Sequence, residues 1–151
     1  MRVLITGCFD IIHPGHLKLF KEGAKLGEVY VIIARDATIN QYKKSHPIIP
    51  EEQRLEVVRA LKYVTYATLG NPSNQNSDFL KKALSLKPDI ILLGPNQRIS
   101  IEELKQKLMQ HGAEHIQVKR LEELDTTFEL NSSFKIKQKI KKTWNGNGNN
   151  H

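Results

Sequence analysis

Residues 2–16 read RVLITGCFDIIHPGH. Positions 2–6 are a short apolar run with β-branched side chains that ends at Gly7, a pattern that predicts a buried strand and then a sharp turn. Pro14 and Gly15 open a helix, since a first turn has no use for the N–H that proline lacks. Leu17, Phe20 and Ala24 fall at i, i+3 and i+7 and predict its buried stripe, with Gly27 as its end. The same alternation of strand and helix continues downstream.

Residues 28–34 (EVYVIIA) form a continuous apolar run, suited to a strand covered on both faces. Residues 36–50 are polar, contain Pro47 and Pro50, and read as a long loop, which in a compact domain is usually functional or disordered. Pro50, Glu51 and Glu52 start a helix whose acids complement its dipole, and Val57, Val58 and Leu61 supply its buried side. Further strands are expected at 63–69, 89–93 and 113–119. The helices among them carry Phe79, Ala83 and Leu86, then Ile101, Leu104 and Leu108 behind a Ser100–Glu103 capping box. A last helix spans 132–142, with Ile136 and Ile140 facing inward. The fold class is therefore α/β: a single-domain, Rossmann-like, doubly wound parallel sheet of five strands with helices on both faces. Residues 1–143 make the domain, and 144–151 are an Asn/Gly-rich disordered tail with little to bury. Ligands of such sheets sit beyond the carboxyl ends of the strands, where strand order reverses, so the loop after the first strand is the place to look for chemistry.

A length of 151 residues fits one such domain. The single cysteine, Cys8, excludes an internal disulfide framework and a Cys-rich zinc site. The N-terminus lacks the apolar core of a signal peptide, and no apolar run approaches the roughly 20 residues of a membrane span, so a cytoplasmic protein without a membrane partner is expected. The net charge is +7, but residues 135–142 (KIKQKIKK) hold five lysines and no acid, which leaves the body nearly neutral. A lysine-studded terminal helix is a solvated face or, alternatively, a polyanion contact.

The loop at residues 7–16, GCFDIIHPGH, concentrates the chemistry. His13 and His16 are three apart at a helix start, so both rings can project to one side. Gly15 admits a ligand close to the backbone, and the free N–H groups at the helix start favour an anion. Two imidazoles and those amides make a compact donor set for phosphate oxygens. No GxxxxGK[ST] or GxGxxG motif is present. A metal site at His13 and His16 lacks a cysteine or acid at matching spacing, so no protein metal ligands are expected. The plain alternative is a pair of capping or core histidines. His46, His111 and His115 show no partner and are expected at the surface.

The stretch matches the GxFDxxHxGH signature, and the chain resembles the HxGH nucleotidyltransferases, the cytidylyltransferase-like family, over about residues 1–140. VIIARD (31–36), PIIPEEQR (47–54), LKPDIILLGPNQ (86–97) and NSSFKI (131–136) carry the likeness further. In order and spacing these segments look most like the archaeal-type FAD synthases and, more distantly, the glycerol-3-phosphate cytidylyltransferases. The resemblance implies that a substrate phosphate attacks the α-phosphorus of a nucleoside triphosphate and that pyrophosphate leaves, with no enzyme nucleophile. It implies that His13 and His16 contact the triphosphate and that Lys43 or Lys44 adds a phosphate-binding ammonium; the two lysines are not distinguished. Gly7, Cys8, Phe9 and Gly15 would line the phosphates, with Asp10 holding the loop's amides. Arg54, Gly94, Asn96, Gln97, Ser132 and Ser133 would complete the nucleotide site, Lys135 adding charge. Asn96 stands where the family often has Asp, and Cys8 where it often has Thr.

The activity so implied is transfer of AMP from ATP to FMN, giving FAD. The alternative within the family is a CTP-dependent cytidylyltransferase acting on glycerol 3-phosphate or a related sugar or polyol phosphate. A different class, a non-catalytic nucleotide- or RNA-binding module, is suggested by the basic terminal helix, although nucleic acid is not the expected partner. Mg2+ or another divalent metal, held mainly by the nucleotide phosphates, and a homodimer are implied by the family likeness.

Overall fold

A computed structural model of the chain describes residues 1–42, 46–72, 79–123 and 126–146. Five strands run β1 (Arg2–Gly7), β2 (Glu28–Ile33), β3 (Tyr66–Leu69), β4 (Ile90–Leu93) and β5 (Gln117–Arg120). They form one sheet in the order β3-β2-β1-β4-β5, and every neighbouring pair is parallel. The expected fold class is the observed one. Among the described residues six helices accompany the strands: α1 (Pro14–Leu26), α2 (Asp36–Tyr42), α3 (Glu51–Arg59), α4 (Phe79–Ser85), α5 (Ile101–Gln110) and α6 (Ser133–Gly146).

The period of two along each strand sends alternate side chains to opposite faces and makes two cores. Val3, Ile5, Val29, Val31, Ile33, Ile90 and Leu92 meet Phe20 of α1 and Val58 of α3. Leu4, Ile32, Ile91 and Leu93 meet Leu80 and Ala83 of α4 and Leu104 and Leu108 of α5. β1 lies where the order reverses. It pairs with β2 along its whole length, from Arg2 with Glu28 to Gly7 with Ile33, but with β4 only at Val3–Ile90 and Leu4–Ile91. The carboxyl ends of β1 and β4 therefore part, and a crevice opens between them.

Several local expectations are corrected. Residues 36–50 are not one loop: Asp36–Tyr42 is a helix, with Asp36 in its first turn and Ile39 buried. The inner face of α1 is Leu19, Phe20 and Gly23, while Leu17 and Ala24 of the expected stripe are exposed. Gly23 is buried because α1 crosses the sheet closely there; an added Cβ would sit 3.0 Å from Ile5 and 3.2 Å from Val29. In α3, Arg54 faces inward with Val58, and Val57 faces out. In α4, Leu80 takes the inner place expected for Phe79. Ile140 of α6 is exposed, and that helix continues to Gly146, past the end expected at 142. The Ser100–Glu103 cap forms as expected, Ser100 accepting the Glu103 N–H at 3.0 Å. No described helix is long and apolar enough to cross a membrane. Lys43, Lys44 and the tail residues 147–151 lie outside the described residues.

Candidate active site

The site begins where β1 stops. Gly7 is required because the next turn folds Phe9 back over it: a Cβ at Gly7 would lie 2.8 Å from the Phe9 ring. Phe9 itself has φ 52°, a left-handed conformation that costs a non-glycine residue about 1 kcal/mol or more. Packing holds it there. The ring is buried, tilted against Phe20, and edge-on to His16 with centroids 5.1 Å apart.

His13 is the N-cap of α1, and its Nδ1 accepts the Gly15 N–H at 3.1 Å. An accepting Nδ1 leaves the ring proton on Nε2, as an outward donor. The His13 and His16 rings stack with centroids 3.6 Å apart and planes 28° from parallel. Gly15 leaves room for this, since a Cβ would come within 2.8 Å of the Asn131 carbonyl and 2.9 Å of the His13 ring. Burial lowers the pKa of His13. Burial and then the His13 ring beside it bring His16 down to about 3. Both imidazoles are neutral at pH 7 and act as N–H donors, not cations. His16 Nδ1 is buried with no hydrogen-bond partner among the described residues.

Asp10 ties three segments together. Its carboxylate accepts the Ile48 N–H at 3.0 Å and the Ile49 N–H at 2.8 Å, and pairs with Lys137 Nζ of α6 at 2.7 Å. Burial opposes its charge, but Lys137 and the two amides outweigh that and hold its pKa low. The amides it holds thus belong to the segment before α3, not to its own loop. α6 is capped by Ser132, whose Oγ accepts the Lys135 N–H at 3.2 Å, while Ser133 Oγ donates to the Ile11 carbonyl at 3.4 Å. The Lys135 ammonium turns to Asn131 Oδ1, at 2.9 Å.

On the β4 side, Gln97 bridges the crevice. Its Oε1 accepts the Gly94 N–H at 2.7 Å and its Nε2 donates to the Thr6 carbonyl at 3.2 Å. The side chain joins β1 to β4 where their ladder has stopped. Arg120, at the end of β5, donates to the carbonyls of Gly94 at 2.7 Å, Gln97 at 3.1 Å and Ile99, and so fixes the loop that carries Asn96.

These elements enclose a cleft of about 300 Å³. Gly7, Cys8, Phe9, Asp10, Gly15 and the two histidines line its floor. Gly94, Asn96 and Gln97 line one wall, and Ser132 and Ser133 another. Arg54 is not brought to it. That residue is 1% exposed, and its guanidinium donates to the carbonyls of Cys8 at 2.6 Å and Ile49 at 2.9 Å and to Asp36 at 2.6 Å. It supports the floor from below. Sequence reasoning missed Lys137 and Asn131, which line the cleft, and His46, which reaches its edge from an exposed position. Lys137 follows Ser133 by four residues on the same helix face, a spacing that could have found it. Nothing in the local sequence marks Arg120.

A family model described as cytidylyltransferase-like matches residues 4–139. The chain belongs to the cytidylyltransferase-like family. It is 42% identical over 145 residues to the FAD synthase of Methanobrevibacter smithii, covering 93% of this chain and 91% of that protein. It is 44% identical over 143 residues to the FAD synthase of Methanocella paludicola, covering 94% and 97%. Among solved structures, the lipopolysaccharide core biosynthesis protein of Thermoplasma volcanium superposes with a TM-score of 0.75 at 37% identity, covering 83% of this chain and 98% of that one. Members of the family transfer nucleotides, and a cleft at the β1–β4 divergence is where this fold places such a ligand. No three of the His, Cys, Asp and Glu side chains among the described residues gather to hold a metal ion. Among the described residues the cleft is lined by two carboxylates, Asp10 and Glu123, and Asp10 is engaged by Lys137 and two amides. The described residues do not form a cage for a divalent ion.

Proposed function

We propose that this protein is an FAD synthase, which joins ATP and FMN to give FAD and pyrophosphate. The carrying observation is the near end-to-end likeness to two archaeal proteins of that name, on a chain whose cleft has the donors that nucleotidyl transfer needs. An oxygen of the FMN phosphate forms a new bond to the α-phosphorus of ATP. The bond from that phosphorus to the oxygen bridging to the β-phosphorus breaks, and pyrophosphate carries away the electron pair. No covalent enzyme intermediate is needed, so the protein's work is alignment and stabilisation of charge on the phosphoryl oxygens.

In this reading His13 Nε2–H and the His16 ring donate to those oxygens, and being neutral they need not be stripped of water as cations. The helix start and the Ser132 hydroxyl, whose own proton its cap does not use, take the outer phosphates, Ser133 joins them by giving up its 3.4 Å bond to the Ile11 carbonyl, and Asn96 meets the nucleoside. Lys43 or Lys44 adds a cation. A divalent metal, Mg2+ or another, enters with the triphosphate, held by phosphate and water oxygens. Family likeness supports a homodimer.

Incubation of the protein with MgATP and FMN, followed by chromatography, is expected to yield FAD and pyrophosphate in equal amounts. Absence of FAD, with CTP and glycerol 3-phosphate consumed instead, would replace this reading with a cytidylyltransferase.

A further inference from the structure

Beside the first cleft lies a second, of about 710 Å³. Thr6, Gly7, Cys8, Asn96 and Gln97 line both. A group held at Cys8 from one cleft therefore meets a group held there from the other. From this shared floor the second cleft crosses the carboxyl ends of β2 and β3 and ends against α4.

The chemistry of its far end is distinctive. Its described lining includes Arg35, Lys82 and Arg98 and no carboxylate. Arg35 is committed: it donates to the Gly70 carbonyl at 2.7 Å and pairs with Glu51 at 3.2 Å. Lys82 and Arg98 have no ion-pair partner among the described residues. Phe79 opens α4 with 37% of its surface exposed, while Leu80 beside it is buried in the core. The core does not use this ring, and Lys82 lies three residues on, along the same helix face.

We infer that this far wall selects the acceptor: Phe79 takes a flat aromatic ring system against its face, and Lys82 and Arg98 meet the electron-rich carbonyl edge of that ring, while the acceptor's phosphate reaches Cys8. The inference rests on the FAD synthase reading, because the isoalloxazine of FMN is such a ring and a polyol is not. The wall lies away from the reacting phosphate, so it acts through acceptor binding. Arginine and lysine at an apolar cleft suit a ring whose rim is rich in acceptors, and an aromatic face suits its plane.

The test is steady-state kinetics of FAD formation by the full chain, with flavin fluorescence quenching by riboflavin, which has the ring without the phosphate. Removing one stacking partner from a ring typically costs a factor of ten or so in affinity, so Phe79→Ala is expected to raise the KM for FMN about tenfold. Its KM for ATP should stay within about twofold, and riboflavin binding should weaken in step with FMN. Phe79→Tyr, which keeps a flat ring, should preserve both. Lys82→Ala reads the same wall independently of the helix start and should raise only the KM for FMN, by about threefold. If Phe79→Ala and Lys82→Ala make FAD with the parent KM for FMN, the acceptor wall is wrong while the activity stands. If the parent protein makes no FAD, the activity itself is wrong and the acceptor wall falls with it.

Discussion

Asp10→Ala removes the side chain that joins the β1 turn, the segment before α3, and α6. The carboxylate is 4% exposed and accepts two backbone N–H groups and one ammonium. A hydrogen bond to a charged acceptor contributes about 1.5–3 kcal/mol net, so losing two would cost roughly 3–6 kcal/mol if the amides stayed dry. Both bonds are only part-buried, so the lower end applies. Lys137 is 31% exposed, and its pairing adds no more than about 1 kcal/mol after solvent screening. The expected loss is about 3–4 kcal/mol, a large share of the 5–15 kcal/mol typical of a domain. Urea denaturation at pH 7 measures it. The Asp10 pKa is lowered from the usual 3.8, so its stabilisation is complete above that pH and disappears as pH falls through the lower folded value. The gap between parent and variant should therefore narrow in acid, where the neutral carboxyl keeps one acceptor oxygen. Asp10→Asn, which keeps one acceptor oxygen, should lose about half as much, and both variants should bind ATP more weakly because Ser133 and α6 lose their tether. A loss below about 1 kcal/mol at neutral pH, or a gap that is unchanged by acid, would refute the clasp.

Three further outcomes follow from the same geometry. His16→Ala should lower kcat by roughly 10²–10³, the usual effect of deleting one transition-state donor, yet unfold in a single transition like the parent; full activity would displace the proposed centre. Because the folded pKa of His16 is about 3 against 6.5 in the unfolded chain, acid protonates the unfolded chain first. Its contribution is whole above pH 6.5 and declines by about 1.4 kcal/mol per pH unit below it, with His13 acting in the same direction; urea midpoints from pH 7 to 4 should fall less steeply in His16→Ala. Gly27→Ala places a Cβ 2.2 Å from the Met1 carbonyl, which accepts the Glu28 N–H at 2.8 Å, so the start of the β1–β2 ladder must shift; a loss of about 2 kcal/mol is expected, and a thermal midpoint equal to the parent's would contradict the crowding.

What was legible in the sequence was whatever leaves a local mark. The strand at 2–6, the turn at Gly7, the Ser100 cap and the alternation of strand and helix all carry propensities or patterns within a few residues. Helix α2 does not: Ile39 is its buried apolar anchor, too little for a period to register. The inner stripe of α1 is obscured for a related reason. Gly23 is buried by close approach of helix and sheet, which a hydrophobic count cannot see, and such a count includes Leu17 although it faces out. Arg54 inverts the rule that charge lies outside. Its burial is possible because Asp36 and the carbonyls of Cys8 and Ile49, distant in sequence, satisfy its donors. The histidine pair was legible as a pair, but its stacking and its neutral state depend on Phe9, Gly15 and Asn131 converging in space.

That neutral state bears on why the site is built from so many small polar devices. Two imidazoles with centroids 3.6 Å apart cannot both become cations in a buried place without repelling each other, so protonation is a poor way for this pair to grip a triphosphate. Lys137 is already matched by Asp10, which makes the floor close to neutral before substrate arrives. In the proposed function, attraction at long range falls to groups outside the floor and to a cation that enters with the substrate, while the floor discriminates by direction. Its ring N–H groups, amides and hydroxyls are held by packing, and they suit the spread of charge over phosphoryl oxygens better than a mobile ammonium would. Gly7, Gly15, Phe9, Arg54 and Arg120 are best understood as the residues that keep those dipoles from turning, which is the cost a dipolar site must meet in advance of the reaction.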